Sequence, residues 1–415
     1  MGKQITVLGA GSVGIGCAKH LLQRGWQVTM VDRREPARET SFGNAGVINA
    51  SSFIPLNNTR LWRSLPAYLR NNKPHLRYRL RHVLTQFPWM FHFLRHATPA
   101  ATEVTVAALS QLSNAALDEH KAFMQRAGNM HRLIERGWLK LFRQGNGLDP
   151  ASIEAEWFRD AGISISTLDA NAIRELEPVL APIFNAGFLI NDSSTVNNPG
   201  ELLREYAAQF VADGGVLLQA DVTAVRDAEG GGFILNTSTG EHRCEHLVVA
   251  AGPWSGDVLA GLGYRVRLGW ERGYHQHFKL DGELPLTRTI HDVENAVIMS
   301  PMEAGVRITS GVELNHRDAP DNRSQLEQVI PLAREILPLG EPTPDPVWRG
   351  SRPTLPDSRP IIDRAPRHER LWLAFGHQHI GLMTGPVSGK LLAQLATGEQ
   401  PDIDLTPFNA RRWVR

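Results

Sequence analysis

Apolar and polar positions in the first 32 residues follow the order strand, turn, helix, strand. An apolar run at residues 5–8 predicts a buried strand, and residues 27–31 predict a second one. Between them, Ala18, Leu21 and Leu22 recur at helical spacing and predict a helix. The chain therefore begins with a unit that is typical of a parallel sheet.

The middle of the chain predicts helices first and strands afterwards. Residues 58–140 are typical of helices interrupted by prolines, and residues 199–213 predict an amphipathic helix. The strands that follow are short, and they are predicted at residues 216–218, 222–225, 232–237 and 246–250. Residues 264–350 then alternate strands and turns around a helix near residues 323–337.

The end of the chain returns to a parallel-strand pattern. Residues 371–376 predict a strand, residues 377–383 a loop, and residues 384–395 a closing helix. A chain of 415 residues is longer than one hydrophobic core usually supports, so two lobes are expected.

The predicted fold is α/β with a second lobe of α+β character. A discontinuous Rossmann-like nucleotide-binding domain is expected from residues 1–57, 191–263 and 346–415. A sheet-and-helix substrate or cap domain is expected from residues 58–190 and 264–345.

Charge and cysteine content exclude several classes of protein. The 44 Lys and Arg residues nearly balance the 43 Asp and Glu residues, so no nucleic-acid partner is expected. Cys17 and Cys244 form no CxxC pair, which predicts a reducing compartment and no zinc site. No apolar segment is long enough to span a membrane, and the first strand begins too early for a signal peptide. We therefore expect a cytoplasmic protein.

Gly9, Gly11 and Gly14 stand between the first strand and the helix with the spacing of a dinucleotide-binding turn. Such glycines bring the backbone close to a pyrophosphate at the helix N-terminus. Asp32 ends the second strand 18 residues after Gly14, where a carboxylate can bind the hydroxyls of an adenosine ribose. The spacing predicts an ADP-containing cofactor and leaves FAD and NAD open. A tight turn in a sheet without a cofactor is the alternative.

Four further segments complete the pattern: ETSFGNAG at residues 39–46, VVAAGPWS at 248–255, WRGSRPTLPDSRPII at 348–362 and GHQHIGLMTGPVSGKLL at 376–392. With them, nearly the whole chain resembles the FAD-dependent amino acid oxidoreductases of the D-amino acid oxidase superfamily, and most closely the bacterial D-amino acid dehydrogenases. The resemblance implies FAD that is bound non-covalently. Cys17 is expected in the core and not as a covalent link to the flavin.

The resemblance also implies which residues contact FAD. The pyrophosphate and ribose contacts are expected from Gly9, Gly11, Ser12, Val13, Gly14, Asp32 and Arg33. The ribityl, adenine and flavin contacts are expected from Ser41, Asn44, Ala45, Gly46, Val222, Gly252, Gly376, Gly381, Leu382 and Met383. For Ser41 and Asn44, ordinary turn capping is the alternative.

Arg352 matches the position where the relatives place an arginine for the substrate carboxylate. An ion pair with Asp357 or Asp363 is the alternative role. Tyr274 is expected to reach the substrate carboxylate or amine, with burial in a sheet as the alternative, and Arg272 is a weaker second anion partner.

His379 stands between two glycines that are expected at the flavin. It is expected to contact the flavin or to accept a substrate proton near neutral pH. A loop histidine bonded to the backbone is the alternative. His92 and His96 have the spacing of a metal pair, but no third ligand is near them in the sequence, so no metal site is expected.

These residues predict an FAD-dependent enzyme that oxidises a D-amino acid, with D-proline or 4-hydroxy-D-proline as the finer expectation. Its partners are then a small amino acid and an electron acceptor, a quinone or an electron-transfer chain. An oxygen-using or sarcosine-type oxidase is one alternative. A non-catalytic FAD-binding subunit of a complex is the other.

The segment from Thr40 to Thr102 contains eight Lys or Arg residues and no Asp or Glu, with aromatic residues between them. A helical cap with a solvated basic face is one interpretation. Contact with anionic lipid headgroups on the cytoplasmic face of the inner membrane is the other, and it would suit electron transfer to a membrane quinone.

Overall fold

The computed structural model describes residues 3–49, 51–145, 149 and 152–415. Its eleven helices within those ranges are α1 (Ser12–Gln23), α2 (Arg60–Tyr68), α3 (Leu80–Thr85), α4 (Phe87–Arg95), α5 (Pro99–Ala127), α6 (Ile153–Asp160), α7 (Ala170–Leu176), α8 (Pro199–Ala212), α9 (Ser255–Ala260), α10 (Ser324–Ile336) and α11 (Gly381–Thr397). Among the described residues, no helix is both long and apolar enough to cross a lipid bilayer.

The first fourteen strands are β1 (Gln4–Leu8), β2 (Gln27–Asp32), β3 (Val47–Asn49), β4 (Leu76–Tyr78), β5 (Leu133–Ile134), β6 (Trp138–Phe142), β7 (Ile165–Asp169), β8 (Ala186–Ile190), β9 (Ser193–Val196), β10 (Val216–Gln219), β11 (Val222–Asp227), β12 (Phe233–Thr237), β13 (Gly240–Cys244) and β14 (His246–Val249). The others are β15 (Gly269–Leu280), β16 (Thr289–Asp292), β17 (Val297–Met302), β18 (Gly305–Thr309), β19 (Val312–Leu314), β20 (Leu339–Pro342), β21 (Trp348–Thr354), β22 (Ile361–Arg364) and β23 (Leu371–Phe375).

A six-stranded sheet carries the N-terminal glycine turn. Its order is β10-β2-β1-β14-β23-β22, and every pair is parallel except β22 with β23. Ile5 and Val7 of β1 pack on one face in the same core cluster as Leu21 of α1 and Leu391 of α11. On the other face, Val249 packs in a cluster with the small antiparallel sheet β11-β12-β13. These apolar runs are buried on both faces, as parallel strands require.

The second large sheet of the fold is mostly antiparallel. Its main path is β4-β19-β15-β18-β17-β16-β6-β8-β7, and β20 and β21 also pair with β15. A separate core cluster joins Ile290 and Met299 of this sheet to Val329 of α10. β3, β9 and β5 form a further three-stranded sheet. The predicted α/β fold with an α+β second part is confirmed.

Most predicted elements are confirmed, and the differences are at one helix boundary and in segments that pair with distant strands. The closing helix begins at Gly381, three residues before the predicted start, because Leu382 and Met383 complete its first turn. Residues 58–140 were expected to be helical, yet they contain strands: β4 pairs with β19, and β6 pairs with β8 and β16. Pairing with distant strands determines these segments. β21 pairs with β15 of the large sheet, although residues 346–415 are predicted to belong to the nucleotide-binding domain. The domain boundaries stay a prediction.

Candidate cofactor and substrate site

A cavity of about 510 Å³ joins the two large sheets. It starts at the carboxyl ends of β1, β2 and β14, where parallel sheets commonly bind ligands. It continues past the residues that precede α11 and reaches the strands β15 and β21. One continuous cavity therefore contacts both the glycine turn and the large sheet.

The glycine turn after β1 is shaped by close backbone packing. Gly9 has a φ of +115°, and a Cβ there would collide with the carbonyl oxygen of Ala250. The N-cap residue of α1, Gly11, has no side chain to cap the helix, so of its first N–H groups only that of Ser12 has a side-chain partner in the described part of the chain: it donates to Ser41 Oγ at 3.2 Å. Val13 lines the cavity. Uncapped N–H groups at a helix start favour a bound anion. The turn fits a pyrophosphate.

Asp32 lies beside this turn with its carboxylate held in place. Oδ2 accepts the Ala10 N–H at 2.7 Å, and Oδ1 accepts the Arg34 N–H at 3.1 Å. Next to it, Arg33 pairs with Glu39 at 2.6 Å and stacks on the Trp254 ring, with 4.0 Å from Cζ to the ring centroid. This end of the cavity has the carboxylate and the flat aromatic wall that an adenosine requires.

A second uncapped helix start, that of α11, faces the same cavity. Gly381, Leu382 and Met383 line it, and Ile380 provides no side-chain cap. His120 of α5 supports this turn, with Nε2 3.0 Å from the Leu382 carbonyl oxygen. The partial positive charge of the helix start favours a ring edge that gains negative charge.

The loop before β3 closes the cavity between these two helix starts. Asn44 donates from Nδ2 to the His379 carbonyl oxygen at 3.1 Å and accepts the Gly46 N–H at Oδ1 at 2.9 Å. The Ser41 and Asn44 side chains therefore do form turn contacts, as the alternative predicted, while both residues also line the cavity.

Fourteen of the predicted cofactor contacts lie in this wall: Gly9, Gly11, Ser12, Val13, Asp32, Arg33, Ser41, Asn44, Ala45, Val222, Gly252, Gly381, Leu382 and Met383. The other three, Gly14, Gly46 and Gly376, lie behind the lining. A Cβ on any of these three would collide with neighbouring atoms, so they allow the packing that shapes the wall. The residues present fit an FAD that extends from Val222 to the start of α11.

Arg352 provides a positive charge at the end of the cavity that is lined by the large sheet. It lies on β21 directly opposite Glu271 of β15, and its Nη2 is 2.6 Å from the position that a Cβ of Gly273 would take. Within the described ranges, no residue forms an ion pair or hydrogen bond with its guanidinium. Burial lowers the pKa of Arg352, and the Glu271 carboxylate opposes that shift.

The alternative partners of Arg352 are engaged elsewhere. Asp357 pairs with Arg359 at 2.9 Å and also with Arg412, and Asp363 accepts the Ala410 N–H at 2.7 Å. The guanidinium of Arg352 therefore remains available to a ligand in the cavity.

Glu271 is a buried acid that the sequence analysis did not identify. Its residue is 2% exposed, and Oε2 has no hydrogen-bond partner among the described residues. Burial raises the pKa of Glu271 to about 7, while the charge of Arg352 acts in the opposite direction. The carboxyl group therefore changes its charge near neutral pH, next to the free guanidinium.

Tyr274 does not line this cavity. Its hydroxyl donates to Glu313 Oε2 at 2.9 Å and accepts hydrogen bonds from Arg272 Nη2 at 2.6 Å and from the Asn322 N–H at 2.9 Å. Arg272 is fully buried in the same network. Alternate residues of β15 face opposite sides of the sheet, so Gly273 faces the cavity while its neighbours face away. The structure therefore does not bring Tyr274 or Arg272 to this cavity. Tyr274 is buried in the sheet, as its alternative predicted, and Arg272 is buried beside it.

His379 lines the cavity near Arg352. Burial, together with the charge of Arg352, lowers the pKa of His379 to about 4, so its imidazole is neutral near pH 7. A base of that strength does not retain a proton taken from an amine near neutral pH, so the lowered pKa does not support the expected proton transfer, and the role of His379 stays a prediction. Cys17 is buried in the core, and burial raises the pKa of its thiol to about 12.

The large-sheet part of the cavity wall contains several residues that sequence reasoning missed: Trp138, Gly273, Ile298, Thr309, Ser310, Trp348 and Gly350. Trp348, Gly350 and Arg352 alternate along β21, and the Trp348 ring occupies the space that side chains at Gly43 and Gly350 would fill. The sequence WRGSR contained that alternation. Which residue would face Gly273 depended on the register of β15 with β21.

These features define an α/β protein with one cavity that extends from a dinucleotide-binding turn on the parallel sheet to a buried arginine on the large sheet. The sequence profile of the FAD dependent oxidoreductase family (DAO) matches residues 4–395. The chain belongs to this family, and its cofactor is FAD.

Individual relatives match the chain over almost its full length. A D-amino-acid oxidase of Bradyrhizobium diazoefficiens is 30% identical over 423 residues, which covers 100% of this chain and 99% of that protein. A D-amino acid dehydrogenase of Dechloromonas aromatica is 27% identical, over 98% of this chain and 99% of that one. The solved glycine oxidase of Geobacillus kaustophilus has the same fold, with a TM-score of 0.72 at 20% identity and 98% of each chain covered.

Proposed function

We propose that this chain is an FAD-dependent dehydrogenase of D-amino acids. The observation that carries the proposal is the free guanidinium of Arg352 in the cavity that begins at the glycine turn. A guanidinium binds a carboxylate through two parallel, charge-assisted hydrogen bonds. The D configuration is supported by the two relatives at 30% and 27% identity, which are named for D-amino acids.

FAD supplies a two-electron oxidant when it is bound. In an amino acid with an unprotonated amine and an ionised carboxylate, the Cα–H bond breaks and its electron pair leaves with the hydrogen as hydride, which bound FAD would accept, while the nitrogen lone pair forms the C=N bond of an imino acid. Arg352 holds the carboxylate and so fixes the direction of that Cα–H bond. The amine proton goes to solvent before this step, which agrees with the weak basicity of His379. Water then hydrolyses an acyclic imine to a 2-oxo acid and ammonia.

The finer proposal is a cyclic substrate, D-proline or 4-hydroxy-D-proline. Trp138, Ile298 and Trp348 give the large-sheet end an apolar, partly aromatic wall that suits a five-membered ring. The Thr309 hydroxyl has only a long contact of 3.5 Å, to the Ile298 carbonyl oxygen, and offers a polar partner for a ring hydroxyl. For a cyclic amine, the product is a cyclic imine.

The proposed electron acceptor is a quinone or another carrier of an electron-transfer chain. The relative from Dechloromonas aromatica is named a dehydrogenase, which supports an acceptor other than oxygen. Because a membrane quinone is dissolved in the lipid bilayer, the enzyme would have to reach it at the membrane surface.

Anaerobic mixing of the yellow holoenzyme with D- and L-amino acids tests this function. We expect D-proline or another D-amino acid to bleach the flavin absorbance, while its L enantiomer leaves the absorbance unchanged. Bleaching by sarcosine alone would favour the sarcosine-type oxidase, and rapid turnover in air without a dye would favour an oxygen-using oxidase. A flavin that no amine reduces would favour the non-catalytic subunit.

A further inference from the structure

The exposed apolar side chains of this protein are concentrated in one segment. Seven of the twelve large ones among the described residues lie between Leu56 and Phe91. Four of them, Leu80, Leu84, Phe87 and Phe91, follow one another at intervals of four, three and four residues along α3 and α4. Within each helix this spacing places the pair on one side: Leu80 and Leu84 on α3, and Phe87 and Phe91, whose ring centroids are 6.3 Å apart, on α4. They are 51–65% exposed in the folded chain. Trp62 of α2 and Leu69, which follows α2, are exposed as well.

Three exposed arginines flank this stripe: Arg79, Arg81 and Arg95. We call the four apolar residues and these three arginines the basic–apolar face. None of the three arginines forms an ion pair with another residue in the described part of the chain. The same holds there for Arg63, Arg70 and Lys73, which are also exposed. No Asp or Glu occurs between Thr40 and Thr102.

The opposite side of the same helices is firmly packed. Trp89 and Phe93 are buried and stack with their ring centroids 4.8 Å apart. Trp89 donates from Nε1 to the Thr354 carbonyl oxygen of β21 at 2.9 Å, and its ring fills the space above Gly269 of β15. The basic–apolar face therefore lies on the outside of a layer whose inside covers the strands of Gly273 and Arg352. The core of the fold does not use these exposed residues.

We infer that the basic–apolar face binds the surface of an anionic lipid bilayer. Leucine and phenylalanine side chains at 51–65% exposure can enter the boundary of headgroups and acyl chains, while unpaired arginines contact anionic headgroups. A second copy of the chain fits this face poorly, because docking two such faces would oppose cations to cations without an acid to pair them. The inference goes beyond the proposed reaction and does not depend on the substrate.

Flotation of the holoenzyme with lipid vesicles tests the inference. Vesicles of phosphatidylcholine alone are compared with vesicles that also contain phosphatidylglycerol, at low and high salt. We expect binding to the anionic vesicles only, and weaker binding at high salt because the charges are screened. Equal binding to both kinds of vesicle, or binding to neither, would overturn the inference.

Two double variants assign the binding to this face. Each cation near an anionic surface contributes about fivefold to partitioning, so Arg81→Gln with Arg95→Gln should lower it by about 30-fold. Phe87→Ser with Phe91→Ser should abolish binding at high salt, where the apolar contribution dominates. The exposed pair Val211→Ser with Leu284→Ser is the matched control and should bind like the wild type.

Each variant is first checked for unchanged FAD content and for unchanged dye reduction with the amino acid substrate. Wild-type affinity in both double variants would overturn the assignment. The face would instead join two copies of the chain if the wild type is a dimer, the Phe87→Ser, Phe91→Ser variant is a monomer, and neither protein binds vesicles. Retention of a soluble acidic protein by the face, again without vesicle binding, would also overturn the inference.

Discussion

Arg352 has no ion-pair or hydrogen-bond partner among the residues that the structure describes, and it lies opposite Glu271 and close to Gly273. We predict that Arg352→Ala raises the KM for the amino acid about 30-fold or more, because removing one member of a buried charge pair costs roughly 2–5 kcal/mol. Arg352→Lys should recover only part of the affinity, since an ammonium cannot form the two parallel hydrogen bonds. Steady-state kinetics with a dye acceptor measures both.

Arg349→Ala is the matched control for this prediction. Arg349 lies on the same strand, but its guanidinium bonds to the carbonyl oxygens of Arg317 and Ala319 and pairs with Asp321. We expect its KM to stay near that of the wild type. An equal rise in KM for both variants would show that loss of strand structure, and not loss of the carboxylate partner, causes the effect.

Glu271 makes ligand binding depend on pH. Burial raises its pKa from the usual 4.5 to about 7. Above pH 7 the ionised Glu271 competes with a ligand carboxylate for Arg352, so we predict that binding weakens as the pH rises through about 7. Cyclopentanecarboxylate, which has no amine, is a suitable ligand, with flavin absorbance as the signal. His379, with a pKa of about 4, does not titrate in this range.

Glu271→Gln should remove this pH dependence between pH 6 and 8, and Glu271→Asp should retain it. A persistent slope in the Gln variant would exclude Glu271 as its source.

The raised pKa of Glu271 also makes the stability of the protein depend on pH, with a defined sign. Because the folded pKa exceeds the unfolded one, the stabilising contribution is full below about pH 4.5 and is lost as the pH rises through 7.

At the scale of elements, α1 and α11 meet along their backbones. A Cβ at Gly389 would collide with the backbone of Gly16, and one at Gly16 would collide with the Gly385 carbonyl group. Ser12 Oγ also donates to the Leu382 carbonyl oxygen at 2.8 Å. The two helix starts that line the cavity are therefore held at a fixed separation.

We predict that Gly389→Ala destabilises the protein by about 1–3 kcal/mol, because the added methyl group overpacks this contact. FAD should also dissociate faster, because the two helix starts move apart. Thermal unfolding and the release of flavin fluorescence measure these effects. Gly256→Ala, in α9, is the control because its new Cβ would meet only Val266, at 3.9 Å. Equal losses in both variants would contradict the account of this helix contact.

Local patterns predicted the elements that depend on neighbouring residues. The glycine turn, Asp32 and helix α8 needed only the spacing of nearby positions. Long-range pairing decided the others: β4 forms because β19 offers its edge, and Tyr274 faces away from the cavity because β15 pairs with β21 in a particular register. The same register places Gly273 beneath Arg352, which no local pattern indicated. The substrate end was therefore less predictable than the dinucleotide end.

At the scale of the whole molecule, the reaction depends on two sheets that share one cavity. The six-stranded sheet contributes the glycine turn and Asp32, and the large sheet contributes Arg352 with its aromatic surroundings. The proposed carboxylate partner and the cofactor wall thus come from different parts of the fold. The basic–apolar face lies behind the strands of Arg352, where a membrane-bound acceptor would be close to the enzyme.

The most direct measurement is anaerobic flavin reduction by the best D-amino acid and by its carboxamide, in the wild-type holoenzyme. Both compounds carry the same Cα–H bond and the same amine, so they differ only in the group that Arg352 is proposed to bind. The account predicts rapid bleaching by the acid and a half-saturating concentration about 30-fold higher or more for the amide. Equal half-saturating concentrations for acid and amide would contradict it.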